Sequence, residues 1–239
     1  MYIALRSPPS IIEGRGTDIH NFLSILLSKF PVLGLPITAA TSVIEASSSF
    51  IARTTGMTYN HFASAGNSCT AHTVIFARGT AEPGNVGILV GPPFFAALEA
   101  RLGPGQFSVQ GVNTYPASVE GFLAGGDARG SIEMAVQIFD AFLSCPETKL
   151  VVAGYSQGGQ LVHNALAALP AEVAAWISKV VLFGAPNVDT ATAIANIPPD
   201  KVWKSCHPAD DICDGGMLVL PWHVTYGLDA KDAAEFVVS

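Results

Sequence analysis

The sequence predicts an α/β fold in which helices flank a central, mostly parallel, five-stranded sheet. Short apolar runs rich in β-branched residues alternate with segments of helical periodicity from about residue 66 onward. Runs without polar alternation indicate strands that are buried on both faces, which is typical of a parallel sheet covered by helices. Hydrophobic residues make up 49% of the 239 residues and charged residues only 13%, so the chain can bury a large core.

The five predicted strands lie at residues 72–77, 107–112, 149–154, 179–184 and 201–206. Helical periodicity predicts helices at residues 92–102, 157–169 and 229–238. A further helix is predicted to begin at Ser131, whose side chain can cap its first turn. The predicted buried face of that helix consists of Ile132, Ala135, Val136, Phe139 and Phe142.

Residues 21–40 form a strongly apolar stretch in the N-terminal region. Lys29 and two prolines interrupt it, so it does not predict a transmembrane span, which needs about 18 or more uninterrupted apolar residues. Its end in the small residues Ala39 and Ala40 is typical of the hydrophobic region of a secretory signal. The sequence therefore predicts a secreted, extracellular protein.

The first 65 residues are predicted to lie outside the folded domain. Residues 41–60 are rich in Ser, Thr and Ala, a composition that is typical of a linker or pro-segment. We expect residues 1–65 to be a signal-like segment, a pro-segment and a linker with little fixed order. We expect residues 66–239 to form one domain.

Charge and motif content exclude several functional classes. The formal net charge is −7, and no basic cluster is present to hold a phosphate backbone, so nucleic acid is not an expected partner. No GxGxxG string follows the first predicted strand, and no Cys, His and carboxylate cluster has metal-ligand spacing. We therefore expect neither a cofactor nor a metal, and we expect a monomer.

Four cysteines are present in the chain, at Cys69, Cys145, Cys206 and Cys213. An even number in a chain with a signal-like start favours two disulfides. Cys206 and Cys213 bracket a short polar turn, which favours pairing these two and leaves Cys69 with Cys145. The alternative is four buried free thiols in a cytosolic protein.

The strongest chemical motif is GYSQG at residues 154–158, which matches G-x-S-x-G. It follows an apolar strand directly and precedes a helical pattern, the context that this motif requires. Ser156 must then lie in a sharp, strained turn, so its neighbours Gly154 and Gly158 must lack side chains. The motif predicts that Ser156 is a nucleophile at the N-terminus of a helix.

A serine nucleophile needs a base and an acid that orients the base. In this topology both follow the serine in the order Ser, Asp or Glu, His, which leaves three of the six histidines as candidates. His163 lies on the helix after Ser156 and points away, and His207 lies between two cysteines, so we choose His223. Asp210 and Asp211 are both candidates for the acid, and spacing alone does not separate them.

Several strings together resemble fungal cutinases, which are secreted serine esterases with a compact α/β-hydrolase fold. The resemblance covers about residues 69–238 and is far more specific than G-x-S-x-G alone. The strings are ARGTAEPGNVG at residues 77–87, GYSQGGQLVHNA at residues 154–165, DDIC at residues 210–213 and HVTYG at residues 223–227.

The resemblance implies roles for individual residues. It assigns the acid to Asp210 and the base to His223, and it implies the same two disulfides. It also implies an oxyanion hole made of the backbone N–H groups of Thr80 and Gln157, with the Thr80 hydroxyl as a further donor. Trp222 departs from the family pattern, where a smaller residue is usual, which affects the expected rim of the site.

The resemblance implies hydrolysis of cutin, a fatty-acid polyester, and of soluble short-to-medium acyl esters. The apolar residues Val219, Leu220 and Val224 flank His223 and are candidates for an acyl groove. Because only ten residues separate Cys213 from His223, a long lid insertion has little room there. The alternatives are an acetylxylan-type carbohydrate acetyl esterase and a catalytically inactive binding protein of the same fold.

Overall fold

The computed structural model describes residues 35–41, 57–61, 69–186 and 194–239. Within them the strands are β1 (Leu35–Pro36), β2 (His72–Ala77), β3 (Phe107–Gly111), β4 (Lys149–Tyr155), β5 (Lys179–Phe183), β6 (Val202–Ser205) and β7 (Leu218–Val219). The longer helices are α1 (Gly91–Leu102), α2 (Val119–Leu123), α3 (Ala128–Ser144), α4 (Gln157–Ala168), α5 (Ala171–Trp176) and α6 (Ala230–Val238). Short 3₁₀ helices lie at Pro199–Lys201, Pro221–Val224 and Tyr226–Asp229.

Strands β2 to β6 form one parallel sheet in the order β3-β2-β4-β5-β6. This confirms the predicted fold class and each predicted strand to within one residue at either end. Successive side chains of β2 enter different cores, with Val74 and Phe76 on one face and Ile75 and Ala77 on the other. Helices α1 and α6 cover the first face, and α3, α4 and α5 cover the second.

Helix α3 buries a different face from the predicted one. It begins after Asp127, whose carboxylate accepts the Gly130 N–H at 2.7 Å, and not at Ser131. Its buried residues are Gly130, Ser131, Met134, Ile138 and Ala141, whereas Ile132, Val136 and Phe139 are exposed. A Cβ at Gly130 would lie 2.7 Å from Leu161 Cδ2, so α3 approaches α4 through small residues. The prediction was therefore wrong for the three exposed residues, whereas its other two members, Ala135 and Phe142, are partly buried against the second core.

Residues 35–41, which precede the predicted domain boundary at residue 66, pack against the domain. Strand β1 pairs antiparallel with β7, and the Ile37 N–H donates to the Met217 carbonyl at 3.0 Å. Ile37 and Ala40 are buried in the core beneath α1, although Ala40 had indicated the end of a signal segment. The remainder of the predicted signal segment lies outside the described residues.

Residues 57–61 also contact the domain closely. The Asn85 N–H donates to the Met57 carbonyl at 3.0 Å, and Asn85 Oδ1 accepts the Tyr59 N–H at 2.9 Å. Asn60 Oδ1 accepts from Asn85 Nδ2 at 3.1 Å and from Gln110 Nε2 at 3.0 Å. This amide network anchors part of the predicted linker to the loop that follows β2.

Both predicted disulfides are present. Cys69–Cys145 joins the segment before β2 to the end of α3, and Cys206–Cys213 closes the loop between β6 and β7. Of the helices in the described ranges, none is long and apolar enough to cross a bilayer.

Candidate active site

Ser156 lies in the sharp turn between β4 and α4. Its φ of 53° is a conformation that residues with a side chain rarely adopt. A Cβ at Gly154 would overlap the Gly158 carbonyl oxygen, and a Cβ at Gly158 would overlap the Ala77 carbonyl oxygen. The strained turn expected from the motif is therefore present, and Ser156 lies at the carboxyl edge of the parallel sheet.

Ser156, His223 and Asp210 form one chain of hydrogen-bonding contacts. His223 Nε2 lies 2.9 Å from Ser156 Oγ, and His223 Nδ1 lies 2.8 Å from Asp210 Oδ2. The three residues are only 3%, 4% and 1% exposed, respectively. Each comes from a different loop at the carboxyl edge of the sheet, so the fold brings together three residues that are far apart in sequence. Their contacts are shielded from water, which strengthens electrostatic interactions between them.

The structure separates the two acidic candidates. Asp211 Oδ2 accepts the Leu218 N–H at 2.8 Å and does not contact the histidine, whereas Asp210 does. Burial raises the pKa of the Asp210 carboxyl, but its hydrogen bonds and the charge of His223 outweigh burial and leave this pKa below its usual value. The Asp210 carboxylate is therefore stabilised in its charged form.

The other two histidine candidates lie away from Ser156. His163 is half-buried on α4, and burial followed by the charge of Lys204 lowers its pKa. His207 contacts Asp229 and the Trp222 carbonyl through its ring nitrogens.

Thr80 and Gln157 lie beside the serine, as the resemblance implies. Gln157 is the first residue of α4, so its N–H has no acceptor within the helix. Its side-chain Nε2 donates to Thr80 Oγ1 at 2.8 Å and to the Ser118 carbonyl at 2.7 Å. Because the Thr80 oxygen accepts this bond, its hydroxyl hydrogen remains available for another acceptor.

Glu82 is a buried carboxylate in the same pocket that the sequence reasoning missed. Oε2 accepts the Gly79 N–H at 2.8 Å, and Oε1 accepts the N–H groups of Ile88 at 2.9 Å and Leu89 at 2.8 Å. Burial raises the pKa of this carboxyl, and the three backbone hydrogen bonds act in the opposite direction. These bonds fix the loop that carries Thr80. The sequence feature that could have indicated this role is that Glu82 is the only acidic residue in the Gly- and Pro-rich loop at residues 78–87.

The pocket at Ser156 has about 320 Å³ of empty space, its open mouth included. Its lining residues are Ile37, Ala40, Thr41, Thr80, Glu82, Leu89, Tyr155, Ser156, Val219 and His223. The first three form a wall from residues 35–41, which the sequence reasoning placed outside the domain. The loop between Cys213 and His223 carries no long insertion.

The three candidate acyl-groove residues lie in different surroundings. Val219 lines the pocket beside His223. Val224 is 1% exposed and packs in the core under α1 and α6, and Leu220 is half-buried outside the pocket lining. Of the three apolar residues near His223 in sequence, only Val219 therefore lines the pocket.

A family model described as Cutinase matches residues 68–239, which is most of the chain. The chain belongs to the cutinase family. A cutinase from Botryotinia fuckeliana is 52% identical over 221 residues, which are 92% of this chain and 96% of that protein. The cutinase-family chain is thus a carboxylic ester hydrolase.

Solved structures support the same relationship. A Trichoderma reesei cutinase in complex with a C11Y4 phosphonate inhibitor is 44% identical and has a TM-score of 0.75, covering 92% of this chain and 97% of that one. An acetyl xylan esterase shares the fold at 21% identity and a TM-score of 0.59, covering 72% of this cutinase-family chain and 98% of the esterase.

Proposed function

We propose that the chain is a secreted serine esterase that hydrolyses the ester bonds of cutin and of soluble short-to-medium acyl esters. The observation that carries this proposal is the continuous contact from Ser156 Oγ through His223 to Asp210 in a member of the cutinase family. The two disulfides support secretion, because disulfides persist in oxidising compartments.

In the first half of the reaction, Ser156 Oγ attacks the ester carbonyl carbon while His223 Nε2 accepts its proton. Asp210 holds His223 Nδ1–H and stabilises the imidazolium that forms. The negative charge that develops on the substrate oxygen is held by the N–H groups of Thr80 and Gln157 and by the Thr80 hydroxyl. His223 then gives its proton to the leaving alcohol, and the acyl group stays on Ser156.

In the second half, His223 takes a proton from a water molecule, whose oxygen attacks the acyl carbonyl carbon. The same oxyanion donors hold the second tetrahedral intermediate. When the intermediate collapses, the carboxylic acid leaves and Ser156 Oγ recovers its proton from His223. The reaction therefore needs only the ester and water, and the enzyme is regenerated.

The pocket favours an apolar acyl group. Ile37, Ala40, Leu89 and Val219 supply alkyl surface next to Ser156. Neither Lys nor Arg is among the residues that line this pocket in the described structure. A neutral aliphatic ester fits these surroundings better than an anionic substrate, because burying an unpaired charge is costly. Cutin, which consists of fatty acyl esters, has this chemistry.

The test is an acyl-chain series of p-nitrophenyl esters, from acetate to palmitate, followed by release of fatty acids from cutin. The full chain is used, because residues 35–41 contribute to the pocket and residues 57–61 to the core. Ser156→Ala is compared with Ser144→Ala, which makes the same change at an exposed serine at the end of α3. Removing the nucleophile leaves a residual rate about 10³–10⁶-fold below that of the wild type.

The expected result is highest turnover on butyrate to octanoate esters, release of acids from cutin, and loss of both activities in Ser156→Ala alone. Activity confined to acetate would favour an acetylxylan-type carbohydrate acetyl esterase. Equal turnover by Ser156→Ala and the wild type would refute the proposed mechanism.

A further inference from the structure

Tyr226 is fully buried next to the acid of the proposed triad. Its hydroxyl donates to Asp210 Oδ2 at 2.6 Å, the same oxygen that lies 2.8 Å from His223 Nδ1. Asp210 Oδ1 accepts the Ile212 N–H at 3.2 Å. The carboxylate therefore has donors on both oxygens, and it can rotate away from His223 only by breaking these bonds.

A second hydrogen bond, from His207, fixes the direction of the Tyr226 hydroxyl. The backbone N–H of His207 donates to the Tyr226 hydroxyl oxygen at 2.9 Å. Because this oxygen already accepts a hydrogen bond there, its hydrogen is left for Asp210. The ring also has little freedom, since it stacks on the His207 ring at 4.1 Å with 18° between the planes. The backbone of Gly184 also lies close to the ring, which a Cβ at that position would overlap.

His207 is itself anchored at two points. Its Nε2 lies 2.8 Å from Asp229 Oδ2, and its Nδ1 lies 3.0 Å from the Trp222 carbonyl. The Trp222 carbonyl belongs to the peptide bond that leads into His223. The cluster formed by Tyr226, His207 and Asp229 therefore contacts both the acid of the triad and the backbone that carries its base.

We propose that Tyr226 is a positioning residue for ester hydrolysis, whose hydroxyl holds the Asp210 carboxylate against His223 while His207 and Asp229 hold Tyr226. This inference rests on the proposed Ser156, His223 and Asp210 triad. Tyr226 is fully buried and is not among the residues that line the pocket, so its effect must act through the acid and the base.

The hydroxyl also has an electrostatic effect with a definite sign. Hydrogen bonding by Tyr226 is one of the interactions that lower the pKa of Asp210 against the opposing effect of burial. Without that donor the carboxylate is a stronger acceptor for His223, which favours the protonated imidazole. The acid limb of the kcat/KM profile then moves to higher pH. The titratable groups that face this site are His223, His207, Asp229 and Tyr155.

The experiment compares the full-length wild type with Tyr226→Phe, which keeps the ring and removes only the hydroxyl. Active sites are counted by titration with a p-nitrophenyl alkylphosphonate, and kcat, KM and the pH profile are measured on p-nitrophenyl butyrate. We expect kcat per titrated site to fall about tenfold, which equals about 1.4 kcal/mol in the barrier. KM should stay within about twofold, and the acid limb should move to higher pH.

The control is Thr73→Val, which removes a buried hydroxyl that bonds Thr148 at 2.9 Å at the opposite end of the sheet. It should leave kcat per site and the pH profile unchanged. Ser156→Ala and Asp210→Asn are assayed in parallel, because loss of hydrolysis in both variants shows that the nucleophile and the acid of the proposed triad are in use. Unchanged kcat per site and an unchanged acid limb in Tyr226→Phe would then overturn the positioning role alone.

A purely structural role would give a different pattern. The fraction of titratable sites would fall, while kcat per remaining site and the acid limb would match the wild type, and this result would also overturn the proposal. If Tyr226→Phe does not fold, Asp229→Asn decides, since it weakens the anchor of His207 and leaves the Tyr226 hydroxyl in place. A smaller fall in kcat per site at constant KM is expected, and no fall would overturn the proposed cluster.

Discussion

Replacing Thr80 with valine tests how the proposed oxyanion hole is built. Valine has nearly the same shape, so Thr80→Val removes a hydroxyl and leaves the backbone N–H in place. In the structure the Thr80 oxygen accepts from Gln157 Nε2 at 2.8 Å, which leaves one hydroxyl hydrogen for the substrate oxygen. Losing one oxyanion donor costs about 10²–10³-fold in kcat, or about 2.7–4 kcal/mol. KM should change little, because this bond forms mainly in the transition state.

The same substitution has a separate and smaller effect on stability. Gln157 Nε2 keeps its bond to the Ser118 carbonyl, so only one of its two hydrogens loses an acceptor. One buried unsatisfied donor lowers the free energy of unfolding by about 1–3 kcal/mol. Thermal or urea unfolding measures this cost independently of turnover.

The assay is hydrolysis of p-nitrophenyl butyrate, with active sites counted by phosphonate titration. Thr80→Ser is the matched control, because it keeps the hydroxyl and loses only a methyl group, and it should retain most of the wild-type kcat. A Thr80→Val kcat within about threefold of the wild type, about 0.65 kcal/mol in the barrier, would show that the Thr80 hydroxyl is not an oxyanion donor. Equal losses in both variants would show that the loss comes from disturbed packing at residue 80 and not from the missing hydroxyl.

Two further predictions concern the pocket wall and the acid. Ile37→Ala removes a buried side chain from the pocket wall, so it should lower the free energy of unfolding by about 2–4 kcal/mol. The wider pocket should also raise the ratio of kcat/KM for octanoate to that for butyrate. Ile132→Ala, at an exposed position, is the control and should change neither quantity. The pKa of Asp210 is lower in the folded protein than in the unfolded chain. The charged carboxylate therefore stabilises the fold at any pH above the pKa of the unfolded chain, and this stabilisation is lost as the pH falls through the pKa of the folded protein. The difference in unfolding free energy between wild type and Asp210→Asn, measured in urea, should therefore shrink below about pH 4, and a constant difference would contradict this.

The sheet was predictable because its strands have a simple requirement. A strand buried on both faces must be apolar throughout, so residues 72–77 and 179–183 stand out from their polar flanks. The turn at Ser156 was predictable for a similar reason, since only glycine fits beside the strained serine. In both cases the local sequence contains the whole physical constraint.

The missed features depend on contacts between distant segments. The buried face of α3 includes Gly130 and Ala141, which are small because α4 and its neighbours approach closely there, and no helical periodicity of large residues reveals that. The wall at residues 35–41 depends on a two-residue pairing with β7. Its composition resembles a signal sequence, and composition carries no information about that partner.

The roles of the polar residues Asp210 and Glu82 also depend on contacts that form only in the folded chain. Nothing in the spacing separated Asp210 from Asp211, because the choice depends on which carboxylate the loop turns toward His223. Glu82 accepts three backbone N–H groups from both ends of its loop, so its role exists only in the folded chain.

The proposed mechanism is tested most directly by identifying the atom of the protein that attacks the ester carbonyl carbon. A p-nitrophenyl alkylphosphonate reacts with a serine nucleophile, whose Oγ bonds to phosphorus as p-nitrophenolate leaves, and the adduct is located by intact mass and peptide mapping. We predict one phosphonyl group per chain on the peptide that contains Ser156, no adduct in Ser156→Ala, and loss of esterase activity in proportion to labelling. An adduct on another residue, or undiminished hydrolysis by fully labelled protein, would contradict the account.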